Sequence, residues 1–185
     1  KKKKNNEFRA NIGETDAIIY VLRCFENDDI THVSGKVDPI ADFEVVETEL
    51  MLADMESLEK RKAGVVKKAN SGDKEAKAQV ALIDLALAEL NEGRPARRAV
   101  VSKDDTKAWN MLQLLTSKPV LFVANVDEDS AATGNEYSSR VEARATEEGA
   151  ACVVISAQIE AELALLDEPD RSEYLETLGL FFFFF

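Results

Sequence analysis

The apolar positions of this chain form two kinds of pattern. Short unbroken runs occur at residues 17–22 (AIIYVL), 120–124 (VLFVA) and 151–155 (ACVVI). They show no polar alternation and are rich in β-branched and aromatic residues, as strands buried on both faces of a parallel sheet are. Between them lie longer stretches with helical spacing. Asp38-Pro39 reads as a helix start, with an aspartate to cap free amides and proline at the first helical position. About thirty residues follow that place Phe43, Val46, Leu50 and Ala53 on one face, with Leu58 continuing it. Gly64 is expected to interrupt this helix, and Asn70-Ser71-Gly72 to stop it. Asp73 then caps a second helix, in which Ala76, Val80, Ile83, Leu87 and Leu90 form a heptad seam that ends at Gly93. A short turn between two striped helices predicts an antiparallel hairpin.

Beyond Pro95, Ser102 is expected to cap a helix carrying Trp109, Leu112 and Leu115, with Trp109 as a core anchor, until Pro119 breaks it. Further helices are expected at 135–148, with Tyr137, Val141 and Ala145 inward, and at 158–166 and 172–178 around Pro169. Strand, helix, strand in this order predicts an α/β fold: a parallel sheet with helices on both faces and an inserted antiparallel helical hairpin. The expected division is a sheet domain over 7–38 and 99–180, interrupted by the hairpin over 39–98. The ends, KKKKNN at 1–6 and FFFFF at 181–185, are low in complexity and are set aside from fold reasoning.

Ligands of open parallel sheets bind beyond the carboxyl ends of the strands. Asn125 stands at such an end, and its amide offers a donor and an acceptor suited to the edge of a flat heterocycle. The plainer alternative is an asparagine that only shapes the turn. Ser156-Ala157 ends the next strand in the same way. On the hairpin, Lys67, Lys68, Lys74 and Lys77 gather near the tip, and Arg94, Arg97 and Arg98 near the base. They read either as a solvated face or as a contact for RNA phosphates. The heptad seam leaves self-association as a third use of the hairpin, and sequence does not set the oligomeric state.

Composition narrows these options. The 185 residues carry a formal net charge of −12, so contact with nucleic acid requires a local basic patch rather than the whole surface. Two cysteines, Cys24 and Cys152, lie inside apolar runs and give neither a disulfide framework nor metal spacing. A lone histidine, His32, argues against a histidine-based metal site and reads as a structural loop residue. No apolar run reaches the ~20 residues that a membrane-spanning helix needs. No signal-peptide core opens the chain, so the cytoplasm is the expected compartment.

Several long segments, in order, resemble the YchF family, the Obg-like ATPases of the P-loop hydrolase class. They are DAIIYVLRCFENDDITHVSGKVDPI at 16–40, TELMLADMESLEKR at 48–61, GDKEAKA at 72–78, LLTSKPVLFVANVDED at 114–129 and VVISAQIEAELALL at 153–166. The resemblance implies a GTPase-like α/β domain with a coiled-coil insertion, a ribosome or RNA partner, and Mg²⁺-dependent hydrolysis of ATP in preference to GTP. The family's base-reading motif, Asn-x-x-Glu, matches Asn125-Val126-Asp127-Glu128. By that match Asn125 would bond the base edge, Val126 would pack on its face, Phe25 would cover the other face, and Ser156 and Ala157 would contact it through backbone groups. Glu128 replaces the aspartate that reads guanine in the wider class. A Gly-x-x-x-x-Gly-Lys-Ser/Thr phosphate loop is not found in these residues, and catalytic residues are therefore not assigned. The chain is expected to be the middle of a longer protein, one that alone holds a base weakly and hydrolyses nothing.

Overall fold

The structure is a computed structural model that describes residues 12–27 and 36–180. His32, the lysine-rich start and the phenylalanine run lie outside the described residues. Two compact units are present. Of the described residues, one comprises 12–18 together with Glu44–Pro119, and the other 19–27, 36–43 and 120–180.

The second unit holds a three-stranded sheet in the order β1-β2-β3, with β1 at Ile18–Arg23, β2 at Val120–Asn125 and β3 at Ala151–Ile155. β2 and β3 are parallel, from Leu121↔Ala151 to Asn125↔Ile155. On the other side of β2, Cys24 donates its N–H to the carbonyl of Asn125 at 2.7 Å. Tyr20, Phe122 and Phe43 form an aromatic cluster, with Tyr20 edge-on to Phe43 at 4.9 Å and stacked on Phe122 at 5.7 Å. Phe43 and Phe122 are fully buried, so this trio centres the core of the unit.

The expectation that all three strands are buried on both faces is corrected. β2 is the covered strand. In β1, Tyr20 and Leu22 are buried but Ile19 and Val21 are 60% and 63% exposed, and Val153 of β3 is 43% exposed. An unbroken apolar run reports strand propensity; it does not report whether both faces are covered.

The remaining helices are α1 at Pro39–Asn70, α2 at Lys74–Asn91, α3 at Thr106–Asn110, α4 at Glu136–Glu148, α5 at Ala157–Leu163 and α6 at Glu168–Thr177. Asp38 caps α1 as expected, accepting from the N–H of Ala41 at 3.3 Å. That bond, with Arg140 beside it, holds the Asp38 carboxyl below its usual range. Gly64 does not interrupt α1, which runs on to Asn70. One glycine costs about 1 kcal/mol, which a long packed helix absorbs. Asp73 caps α2, accepting from Ala76 N–H at 2.9 Å.

The helical unit is packed around Leu58, Leu82, Ile83, Ala86, Leu90 and Trp109. Trp109 is the anchor the sequence predicts, but its helix is a single short turn, because the chain turns at Gln113 with φ +53°. The buried register also differs from the expected one. Along α1 within this unit, the buried positions are Glu47, Leu50, Asp54, Leu58 and Ala69, with Val46 and Ala53 only half-buried. Along α2, Leu82 and Ala86 are buried while Val80 and Leu87 are half-buried.

Two acids therefore occupy core positions, Asp54 held by hydrogen bonds and Glu47 by an ion pair. Asp54 accepts from the N–H of Leu115 at 2.8 Å, the N–H of Thr116 at 2.8 Å and the hydroxyl of Thr116 at 2.7 Å. The Thr116 hydroxyl in turn accepts from Ala96 N–H at 3.0 Å. Glu47 pairs with Arg97 at 2.7 Å.

Candidate functional site: the ends of β2 and β3

β2 and β3 end side by side. Asn125 is opposite Ile155, and Val126 carries the ladder one residue further by donating its N–H to Ile155 O at 2.8 Å. The Asn125 side chain then crosses to the neighbouring strand end: its Oδ1 accepts from the backbone N–H of Ala157 at 2.9 Å. A backbone N–H can only donate, so this contact fixes which end of the amide is oxygen. The Nδ2 group is left as a donor with no partner among the described residues.

Ser156, between the two, is 5% exposed, and its Oγ is buried with no hydrogen-bond partner among the described residues. Buried hydroxyls are nearly always paired, so an orphan at a strand end points to a group that completes it. Ser156 lines a hollow of about 420 Å³ with Ala131, Ile155, Ile159, Leu163 and Leu175. Asn125, Phe25 and Ala157 are not among the residues that line it.

The other predicted residues fall as follows. Val126 is 2% exposed, so its side chain belongs to the core and offers no face to a ligand in this arrangement. Phe25 follows β1 and is half-buried. The guanidinium of Arg23 lies 4.9 Å over its ring, and Arg23 Nε donates to Phe25 O at 3.0 Å. One ring face is thus covered by a cation. Glu128 is half-buried in the loop after β2, near enough to Tyr174 to help raise the phenol, whose main cause of elevation is its bond to the Glu162 carboxylate. Asp127 accepts from Ser130 N–H at 2.9 Å and so shapes that loop.

Asn135 reads from sequence only as a helix start. Its Oδ1 caps α4 by accepting from Ser138 N–H at 3.0 Å, and its Nδ2 donates to Cys24 O at 2.7 Å. It therefore ties the end of β1 to the loop after β2. The signal is present as Asn-x-x-Ser, a capping box, but spacing reveals only the cap. Gly134 beside it has φ +71°, and a Cβ there would stand 2.7 Å from Ser138 Oγ, so this position needs glycine.

Burial raises the Cys24 thiol to about 12, with Cys152 adding to the shift, so the Cys24 thiol stays protonated at neutral pH. Cys152, half-buried, is likewise raised by burial. Among the described residues there is no group of three His, Cys, Asp or Glu side chains that could hold a metal ion.

Of the basic residues on the hairpin, Lys67 and Lys68 end α1, and Lys74 and Lys77 open α2. All four are exposed and have no acidic partner among the described residues. Arg98 is exposed. Arg94 is held by Glu89 at 2.6 Å and by Glu92 at 3.4 Å. Arg97 is a correction: its side chain is 11% exposed and paired with Glu47, so it faces the interior and not a phosphate.

No protein-family model matches the chain. It is 45% identical over 175 residues to the ribosome-binding ATPase YchF of Haemophilus ducreyi, an alignment that covers 95% of this chain and 48% of that protein. It is 42% identical over 177 residues to the ribosome-binding ATPase YchF of Bacillus subtilis, with the same coverage of each. The chain spans about half the length of the curated relatives it matches. In three dimensions it is similar to the YchF GTPase of Schizosaccharomyces pombe, with a TM-score of 0.83 and 31% identity, over 94% of this chain and 48% of that one. The parallel sheet and its strand-end site thus have the α/β architecture of the P-loop nucleotide hydrolases. Within that class the chain belongs to the YchF family.

Among the described residues, no helix is long and apolar enough to cross a membrane.

Proposed function

We propose that the ends of β2 and β3 form the base-reading part of a nucleotide site in a cytoplasmic, ribosome-associated ATPase. ATP is the preferred nucleotide over GTP, and hydrolysis requires Mg²⁺ and parts of the longer protein. One observation carries the reading: Asn125 spends its oxygen on Ala157 N–H and keeps its Nδ2 as a free donor at the carboxyl edge of a parallel sheet. The buried, unpartnered Ser156 hydroxyl beside it supports the same reading.

The geometry refines what Asn125 does. A donor alone can serve N7, an acceptor that adenine and guanine share. Asn125 therefore holds a purine without choosing between the two. Adenine's exocyclic amine requires an acceptor, and the Glu128 carboxylate on the adjacent loop is the group suited to supply it. Phe25 contributes stacking through the ring face that Arg23 leaves open. Val126 supports the strand end from the core and does not touch the base.

Titration of the isotopically labelled chain with ATP is expected to shift the Asn125 side-chain amide and Ala157 N–H resonances. Asn125→Ala should weaken ATP binding about ten- to a hundredfold, in line with the 1–3 kcal/mol that a buried group forfeits without its partner. Unchanged affinity by calorimetry would remove Asn125 from the site.

A second reading concerns the hairpin, where four lysines without acidic partners cluster at the turn. Lysine is a point charge blind to sequence, suited to the phosphates of ribosomal RNA. Reversing Lys67, Lys68, Lys74 and Lys77 to glutamate is expected to abolish co-sedimentation with ribosomes. If co-sedimentation survives, these lysines are a solvated face.

A further inference from the structure

Phe25 stands on a stretch with no regular secondary structure. β1 ends at Arg23, and residues 24–27 belong to neither strand nor helix. A ring on such a stretch is placed only as well as its neighbours are tied, because loose backbone and side chains lose entropy when a ligand orders them. The residues on both sides of Phe25 are tied to one place, the start of α4. Asn135 Nδ2 donates to the carbonyl of Cys24 at 2.7 Å, and the Tyr137 hydroxyl donates to the Glu26 carboxylate at 2.5 Å. Each tie joins positions 111 apart in sequence. Within the stretch, Arg23 donates from Nε to Phe25 O at 3.0 Å and from Nη2 to Asn27 O at 3.2 Å. The stretch also begins beside Asn125, whose carbonyl accepts from Cys24 N–H at 2.7 Å.

Neither tie is needed to build α4. The cap is complete with the Asn135 oxygen, which accepts from Ser138 N–H at 3.0 Å, and an aspartate or a serine would cap as well. The Nδ2 donor is surplus to that task, and it is given to Cys24 O. The same Nδ2 lies 3.4 Å from Ser130 Oγ, and Ser130 N–H donates to Asp127 at 2.9 Å in the loop that also carries Glu128. Asn135 therefore joins the Phe25 stretch to the Glu128 loop. Tyr137 is half-buried and Glu26 is exposed, so water would solvate both polar groups if they were apart. A hydrogen bond of that kind adds little to stability. What it adds is a fixed position for the residue next to Phe25.

We propose that Asn135 and Tyr137 are positioning residues for purine binding: together they clamp Cys24 and Glu26 and so hold the Phe25 ring ready to stack. The inference rests on the purine reading of the strand ends. Neither residue touches the base. Because the ring is held beforehand, the purine does not have to order it, and affinity is higher by the cost of that ordering.

The test is proton NMR of ATP titrated with the 185-residue chain, read as affinity and as the upfield shift of adenine H2 and H8 at saturation. That shift is the ring-current signature of a base stacked on an aromatic face. Asn135→Asp with Tyr137→Phe keeps the cap oxygen and the tyrosine ring but removes both donors. It is expected to weaken ATP about three- to tenfold, the range that one ordered side chain and its backbone represent. The upfield shift should shrink, while the Asn125 side-chain amide still responds to ATP and the thermal melt stays near that of wild type. Glu26→Gln keeps an acceptor for Tyr137 and should bind as wild type does. Glu26→Ala should match Tyr137→Phe alone and add nothing to it, as partners in one contact do. Asn135→Ser, which caps but does not reach Cys24, replaces the aspartate if that variant unfolds.

If the double variant keeps wild-type affinity and shift while Asn125→Ala weakens binding, the clamp is overturned and the purine reading stands. A double variant that melts early yet keeps the full shift at saturation also overturns it, by showing a role in stability alone. If the wild-type chain binds no ATP, or if Asn125→Ala and Phe25→Ala both bind as wild type does, the purine reading fails and the clamp falls with it.

Discussion

Replacing Asp54 with alanine is expected to cost about 3–5 kcal/mol of folding stability, read by urea denaturation. Three donors converge on this carboxylate: the N–H groups of Leu115 and Thr116 and the Thr116 hydroxyl. Asp54 is 3% exposed and Thr116 is fully buried, so water cannot replace the missing acceptor without entering the core. A buried donor left unmade costs about 1–3 kcal/mol, and three of them, partly relaxed, give the figure above. Asp54→Asn should fall between, since it keeps one oxygen and turns an NH₂ toward other donors.

The pH dependence has a definite sign. Burial raises the Asp54 carboxyl, outweighing the Thr116 and Leu115 bonds that lower it, with Glu47 adding a small push in the same direction as burial. A raised folded value means the folded state binds the proton more tightly than the unfolded one. The stabilisation from that proton is complete below the ordinary carboxylate value of about 3.9, and is lost as pH rises through the folded value. The stability gap between wild type and Asp54→Asn should therefore be widest in acid and settle to a plateau above the folded value. A gap that widens toward neutral pH would mean that the three hydrogen bonds outweigh burial.

Asp54 also shows where sequence reading stops. The series Phe43, Glu47, Leu50, Asp54, Leu58 advances by four, three, four and four residues, which is a helical face as regular as the one chosen by hydrophobicity. Reading apolar residues alone moves the face by one position, to Val46 and Ala53, because an acid is normally a mark of solvent. What reverses that rule is a partner 62 positions away in sequence, Thr116 for Asp54, and no local pattern reports it. The same applies to the strands. Runs at 17–22 and 151–155 mark the strands within a residue or so, yet coverage of their faces depends on neighbours the run does not name.

The strand-end site is legible in part. Its place follows from the rule that ligands of parallel sheets sit at carboxyl ends, and Asn125 does reach Ala157 across those ends. That this bond uses up the amide oxygen, leaving a donor alone, follows only from the folded chain. Nor can spacing show that Val126 is buried or that Arg23 lies over Phe25. The second role of Asn135 escapes a sequence reading because its bond to Cys24 O joins segments 111 residues apart.

Arg97 supplies the sharpest separation between a binding and a structural role for a basic residue. Arg97→Ala should destabilise the chain by about 3–5 kcal/mol, because the Glu47 carboxylate, 5% exposed at its side chain, would be left as a buried charge without its ion-pair partner. Glu47→Ala should cost a similar amount for the converse reason. Replacing both at once, Glu47→Leu with Arg97→Met, should recover most of that loss, since well-packed apolar groups often match a buried pair in stability. The double-mutant cycle in urea then gives a coupling of several kcal/mol, far above the roughly 0.2–1 kcal/mol of exposed pairs. The double variant has given up one positive charge of the basic set near the hairpin base but keeps the fold. Its RNA and ribosome affinity should equal that of wild type. A stable double variant that no longer binds would return Arg97 to the contact surface, and a cycle with no coupling would mean the pair contributes nothing to the core.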